Sequence, residues 1–302
     1  MPDGPIATSP VLFDRALIRA RRRRAAALGP VTFLPDRVAD EFADRLGAVM
    51  RRFDLAVDLG TPGDAVRTAL KKLGSIGTII GSGAALDEEQ KSLAADEEAL
   101  PFRDASLDLV VSGLALQFVN DLPGVLVQIR RALKPDGLFL AALLGGETLT
   151  ELRQSFAAAE SEVEGGASPR VAPFADLREL GALLQRAGFA LPVTDVDRVT
   201  VRYDTVFGLM HDLRRMGATN ALLARRRTPL RRATLLRMAE IYAERFADGD
   251  GRLRATFEIV WLSGWAPHPD QQKPLKPGSA KTRLADVLGT REISAGEKPD
   301  RA

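Results

Sequence analysis

The stretch LDLVVSGLALQFVNDLPGVLVQIRRALKPDGLFLAALL, from Leu107 to Leu144, decides the fold. Its two ends, LDLVVSGLAL and LFLAALL, are nearly continuous apolar runs, the pattern of strands buried on both faces. Between them the spacing predicts a helix from about Leu122 to Leu133, stopped by Lys134-Pro135-Asp136-Gly137. Strand, helix and strand in that order form a crossover unit with parallel strands. Working backwards, LAVDL, AVRTALKKLG and GTIIGS repeat the alternation from Phe53 onward. A doubly wound α/β core follows.

The flanks read differently. Upstream, SPVLFDRALIRARRRRAAA places Leu12, Phe13, Leu17 and Ile18 at helical spacing ahead of the Arg21 to Arg24 run. In LPDRVADEFADRLGAVMRRF the residues Val38, Phe42, Leu46, Val49 and Phe53 line one face of a second helix. Downstream, VTDVDRVTVRYD alternates as a strand. A helical block then runs from about Thr205 to Phe246, with Thr228-Pro229 as a capping and first-turn signal and Phe207, Met210 and Leu213 on one side. RATFEIVWLSGWAP is the last strand. The expected organisation is an N-terminal helical extension over residues 1–50, a central domain over 51–266 with a helical insertion at about 205–247, and a flexible tail over 267–302.

Composition narrows the function classes. The formal charge of +2 gives no polycationic surface, so nucleic acid is not implied as a partner. The absence of cysteine excludes disulfides, thiolate nucleophiles and cysteine-ligated metals. No apolar run is long enough to cross a bilayer, and the N-terminus lacks a signal-peptide pattern, so the expected location is the cytoplasm. The two histidines, His211 and His268, are not spaced as an iron triad, and no metal site is expected. The sequence names no catalytic residue.

In an open α/β sheet, ligands bind beyond the carboxyl ends of the strands, near the switch point after the first strand. Asp58-Leu59-Gly60-Thr61-Pro62-Gly63-Asp64 stands there. Gly60 and Gly63 permit positive φ and close backbone approach, and Asp58 offers an acceptor. The set DLGTPGD, DEEALPF, LDLVV and LKPDG, in that order, resembles the class I S-adenosylmethionine-dependent methyltransferases. The resemblance implies a Rossmann-like seven-stranded sheet with N-terminal helices and a helical insertion before the last strand. It also implies S-adenosyl-L-methionine as cofactor, with Asp96 and its neighbour Glu97 at the adenine end, Leu116 along the wall, and Gln117 and Phe118 bordering the reacting methyl on the substrate side.

A closer resemblance rests on LFDRALIRARRRRAA, FLPDRVADEFADRL, SPRVAPFADLRELGALLQRAGFALPVTD, LMHDLRRMGATNAL and ATFEIVWLSGWAPHPDQQKPLKPGSA. These blocks resemble the family of mitochondrial complex I assembly factor five, itself similar to the malonyl-carrier-protein O-methyltransferase of biotin synthesis. That resemblance implies a protein partner, either a complex I subunit or an acyl carrier protein. The expected activity is S-adenosylmethionine-dependent methyl transfer to a protein or carrier-bound acceptor, with protein arginine hydroxylation in complex I assembly, or a cofactor-poor scaffold or chaperone, as the alternatives. Against the family turn, Pro62 replaces the central glycine and Asp64 the last, and Gly81-Ser82 supplies no acid where the ribose hydroxyls are usually held. Asp87 lies too far along to replace it. Two of the three usual cofactor contacts are therefore degraded, which allows weakened or lost binding, with S-adenosylmethionine still the expected cofactor. The arginines at Arg19 to Arg24, Arg214, Arg215, Arg225 to Arg227, Arg231 and Arg232 read either as solvated helix faces or as a basic rim steering an acidic partner.

Overall fold

The computed structural model describes residues 11–83, 92–271, 282 and 284–291. The expected tail therefore lies largely outside the described residues, as does Asp87. Seven strands form one sheet: β1 (Phe53–Leu59), β2 (Ile76–Gly83), β3 (Ser92–Ala94), β4 (Leu107–Gly113), β5 (Leu133–Leu144), β6 (Ala190–Tyr203) and β7 (Leu253–Trp265). Their order is β3-β2-β1-β4-β5-β7-β6. The first five run parallel, and β7 is antiparallel to both β5 and β6. This is the Rossmann-like methyltransferase sheet. Neighbours of β1 lie on both sides, so the chain reverses its winding beside β1 and opens a crevice at the carboxyl ends of β1 and β4.

Strand β5 shows why the apolar runs were unbroken. Leu138, Leu140, Ala142 and Leu144 face one core layer, while Phe139, Ala141 and Leu143 face the other. The first layer takes α2 (Phe33–Gly47), α3 (Ala65–Lys71), α5 (Thr150–Glu164), α7 (Val206–Arg215) and α8 (Arg232–Phe246). The second takes α4 (Leu122–Ala132) and α6 (Leu177–Arg186). Both faces are dry, so period-two alternation gives no polar positions.

Four sequence expectations need correction. Helix α2 stops at Gly47, and Phe53 opens β1 instead of extending the helix's apolar face. Helix α4 ends at Ala132 and passes straight into β5, where Pro135 to Gly137 form a register slip between Leu107↔Leu133 and Leu109↔Leu138. The helical block is two helices separated by a long loop, and α8 begins at Arg232, not at Thr228-Pro229. The capping threonine is instead Thr205, whose side chain accepts from the Gly208 N–H at the start of α7. On α7 the buried face is Val206, Leu209 and Leu213, and Phe207 is exposed.

The N-terminal helix α1 (Arg15–Ala27) is capped by Asp14, which accepts from the Leu17 N–H. Before it, Phe13 bridges to Leu222 and packs with Ile18 and Ala221. The short helix α9 (Leu284–Leu288) belongs to a separate unit spanning 268–302. No described helix is long and apolar enough to cross a membrane.

Candidate active site

Three strand ends build the crevice. After β1 the chain turns through Gly60 (φ 70°) and Gly63 (φ 75°), the left-handed conformations that glycine tolerates. The turn is stitched to β4: the Ser112 hydroxyl donates to the Leu59 carbonyl at 2.7 Å, and the Gly113 N–H donates to Thr61 Oγ1 at 2.8 Å. Asp58 is buried just before the turn. Its Oδ2 accepts from Arg67 of α3 at 3.1 Å, and its Oδ1 has no hydrogen-bond partner.

Burial pushes the Asp58 carboxyl up to about 6, against the opposing pull of the Thr61 hydroxyl and the Arg67 guanidinium. A raised folded value means that the folded chain holds this proton more tightly than the unfolded chain does. Stability therefore falls as pH rises from about 4 through about 6. Asp58→Asn is expected to remove that loss. Urea titrations across this window should show the wild type losing about 3 kcal/mol relative to the variant, and parallel profiles would disprove the assignment.

The end of β2 carries no acid, and the structure gives a reason. A Cβ added at Gly81 would lie 3.2 Å from Arg67 Nη1, so the guanidinium occupies the space a side chain would need. Beside it, Ser82 Oγ is buried without a partner. Asp64 is exposed, and its side chain makes no capping bond to α3, so its charge is turned to solvent.

The acidic loop is gripped from above by α1. Arg15 pairs with Asp96 at 2.8 Å, with Glu98 at 3.1 Å, and with Glu97 by a direct hydrogen bond. Arg19 reaches Asp96 at 3.4 Å. Arg22 lies 3.9 Å from Glu97 and donates to the Gly60 carbonyl at 3.3 Å. Burial holds the Arg22 guanidinium below its usual range, while Glu97 favours its charge and Arg15 opposes it. Glu97 itself lies against Gly60, where an added Cβ would sit 2.6 Å from its Oε1.

Leu116, Gln117 and Phe118 form one 3-10 turn after β4. Phe118 meets Phe13 edge-on at 5.7 Å and Phe174 at 6.3 Å, with the Arg22 guanidinium 5.9 Å from its ring centre. Gln117 donates through Nε2 to the Leu114 carbonyl at 2.9 Å, and its Oε1 is buried without a partner. A small, partly open pocket of about 20 Å³ remains between Arg15, Ile18, Arg22, Glu97 and Phe118. That is space for a single water.

The structure thus brings Gly60, Glu97 and Phe118 together around Arg22, with Asp58 just behind the turn and Asp96 half-exposed at the rim. It does not bring in two others. Leu116 turns into the core layer under α4, and Gly63 is exposed with nothing near its Cα face. Arg15 and Arg67 lie at this crevice and were missed by the sequence reading, which had Arg22 only within a basic rim and Ser82 only as the place of an absent acid. The available signal was the spacing of Arg15, Arg19 and Arg22, which puts three cations on one face of a helix.

Asp58 Oδ1, Ser82 Oγ and Gln117 Oε1 are unpartnered buried oxygens at or just beyond the ends of β1, β2 and β4. Such a set fits the hydroxyl and ammonium groups of an adenosyl amino acid. The ligand's entry requires Glu97 to leave the face of Gly60. Among the described residues no three His, Asp or Glu side chains converge as a metal site.

Comparison with known proteins agrees with this geometry. The methyltransferase domain family matches residues 58–141, from the buried aspartate to the middle of β5. The YcgJ protein of Bacillus subtilis shares the fold, with a TM-score of 0.51 at 16% identity over 76% of this chain and 98% of that one. The malonyl-[acyl-carrier protein] O-methyltransferase of Xylella fastidiosa is 41% identical over 172 residues, covering 57% of this chain and 56% of its own. The mitochondrial arginine-hydroxylase NDUFAF5 of Danio rerio is 39% identical over 287 residues, covering 91% of this chain and 89% of its own, and the Homo sapiens protein is 40% identical over 288 residues, covering 91% and 83%. The second group matches along both the sheet and its flanking helices, and the chain belongs to the family of the arginine-hydroxylase NDUFAF5 proteins.

Proposed function

We propose that this chain modifies an arginine side chain of a protein partner, by hydroxylation, in the assembly of respiratory complex I. The observation that carries this reading is the match to arginine-hydroxylase NDUFAF5 relatives along nine-tenths of the chain. The acidic loop supports it chemically. Asp96, Glu97 and Glu98 already hold guanidinium groups, those of Arg15 and Arg19, and the same carboxylates suit an arginine presented by a partner. Phe118 offers the apolar wall beside them.

The crevice would hold S-adenosylmethionine through the Gly60 backbone, Ser82, Asp96 and Arg22, with Arg22 placed to meet its carboxylate. When bound, that cofactor supplies an electrophilic methyl group, which is the chemistry of methyl transfer. Hydroxylation would instead take its oxygen atom from dioxygen, with two electrons and two protons from an external reductant turning the second oxygen atom into water. The chain's own residues position and desolvate: Phe118 and Ile18 exclude water, and Arg22 and Gly60 present a donor and a carbonyl side by side. Pro62 in the turn and Arg67 over the end of β2 argue for weak binding. A second reading, methyl transfer to a partner-bound acceptor, is favoured by the unpartnered oxygens around this crevice.

One experiment separates the two. Mass spectrometry of complex I subunits from a deletion strain and its parent should show an arginine that carries one extra oxygen atom only in the parent. An extra methylene there would establish the second reading, and identical spectra would exclude both hydroxylation and methylation of these subunits. Calorimetric titration with S-adenosylmethionine gives the cofactor a separate test. Arg22→Ala is expected to weaken binding about tenfold or more, the effect of one charge-assisted contact. Equal affinity in wild type and variant would remove Arg22 from the site.

A further inference from the structure

A second concave site lies outside the crevice. Arg21 stands one residue before Arg22 on α1 and faces the loop between α7 and α8. With Arg170, Asn220, Arg225, Arg226 and Arg227 it lines an open cleft of about 400 Å³. The cluster of Phe13, Ile18, Ala221 and Leu222 packs beside it.

The charges in this cleft do not cancel. Arg170 pairs with the fully buried Glu160, Arg226 with Glu164, and Arg225 with Asp14 at 3.1 Å. Arg21 donates instead to backbone carbonyls, that of Thr219 at 2.8 Å and that of Asn220. Carbonyls fix its position without neutralising it. Arg227 is exposed, with no hydrogen bond or ion pair among the described residues. Burial holds the Arg21 guanidinium below its usual range, and the neighbouring Arg225 and Arg24 push it the same way against the opposing pull of Asp14. Asp14 also acts at longer range on both Arg21 and Arg227, so five guanidiniums share the three carboxylates Glu160, Glu164 and Asp14, and the concavity keeps a net excess of two positive charges.

We propose that this cleft is an oxyanion site for a dianionic phosphoryl group. Guanidinium forks match the paired oxygens of a phosphate, and a net excess of two cations matches the charge of a phosphomonoester at neutral pH. The cleft's volume falls in the range of small-molecule sites, which favours a compact ligand over an extended acidic surface. No aromatic side chain lines it, so a nucleobase would find no stacking platform, and the phosphoryl group itself is the recognised element. The proposal does not depend on the reaction at the β1 crevice.

The test is calorimetric titration of the full chain with inorganic phosphate and with phosphoserine, at ionic strength fixed by sodium chloride. Both are expected to bind. Arg227→Gln and Arg21→Gln should each weaken them about tenfold. Arg23→Gln, which removes an exposed charge of the same helix outside the cleft, should leave affinity unchanged. Tighter binding of phosphoserine than of free phosphate would identify a phosphorylated protein as the source, and equal binding would identify the free anion. No heat at millimolar phosphate or phosphoserine overturns the proposal. So does equal weakening by Arg23→Gln and Arg227→Gln, which would reduce binding to bulk charge, or preferential binding of a glutamate-rich peptide, which would assign the cleft to an acidic protein face.

Discussion

Arg15→Met is expected to lower the free energy of unfolding by about 3 kcal/mol. Arg15 is the one cation that touches Asp96, Glu97 and Glu98 together, and Glu97 is largely buried against Gly60. Removing Arg15 leaves the Glu97 carboxylate without its hydrogen-bonding partner, and Arg22, at 3.9 Å, is too far to replace that bond. The loss is the desolvation cost of an uncompensated buried charge, which exceeds what the intact ion pair contributes. Adding Glu97→Gln to the variant should therefore recover at least half of the loss. Urea unfolding of the three variants measures this. A loss below about 1 kcal/mol, the size of an exposed pair, would mean that α1 does not seat on the acidic loop in solution. The same contacts give α1 its second consequence: a ligand entering the crevice must break them, so loosening α1 and opening the cofactor face are one event.

Phe42→Ala is the larger stability change, about 4 kcal/mol. Phe42 is completely buried on α2 and meets Trp261 of β7 edge-on at 5.6 Å. Truncation removes the ring's apolar contacts and leaves a cavity between a helix and the centre of the sheet, and such sites relax only partly. Phe42→Leu keeps most of the volume and should cost about 1 kcal/mol. Measured by the same urea titration, a loss below 1 kcal/mol for Phe42→Ala would show that α2 is detachable. That would contradict its packing with Val38 and Leu46 into the core layer that includes β1, β5 and β7.

Strands β1, β2, β4 and β5 were legible from local sequence, because burial leaves apolar runs and the turns between them carry glycine, proline or aspartate, whereas the three-residue β3 was not read at all. Gly60 was legible for the same kind of reason, since a left-handed turn after the first strand restricts the residue type. Helix ends were less so. Thr228-Pro229 has the composition of a helix start, yet α8 begins only at Arg232. A capping sequence needs a following turn that can bury its apolar face, and that depends on neighbours far along the chain. Gln117 and Phe118 could be placed beside a crevice, but Leu116, expected along the cofactor wall, turns into the core, because on a single 3-10 turn adjacent residues point to opposite sides.

The arginines of α1 were the least legible. Read locally, Arg15 to Arg24 is the wet side of an amphipathic helix. In the fold, Arg15 and Arg22 face inward onto carboxylates some eighty residues away, and Arg21 faces a loop two hundred residues away. What the sequence by itself determined is the parallel sheet, its glycine turn and the family, because these rest on periodicities and motifs within one or two dozen residues. What only the tertiary structure decided is the sign and closure of the site: Glu97 on Gly60, Arg67 over the end of β2, and the pairing of each guanidinium. A charge's role is set by its partner and its distance from water, and neither is a property of the residue or of its neighbours in the chain.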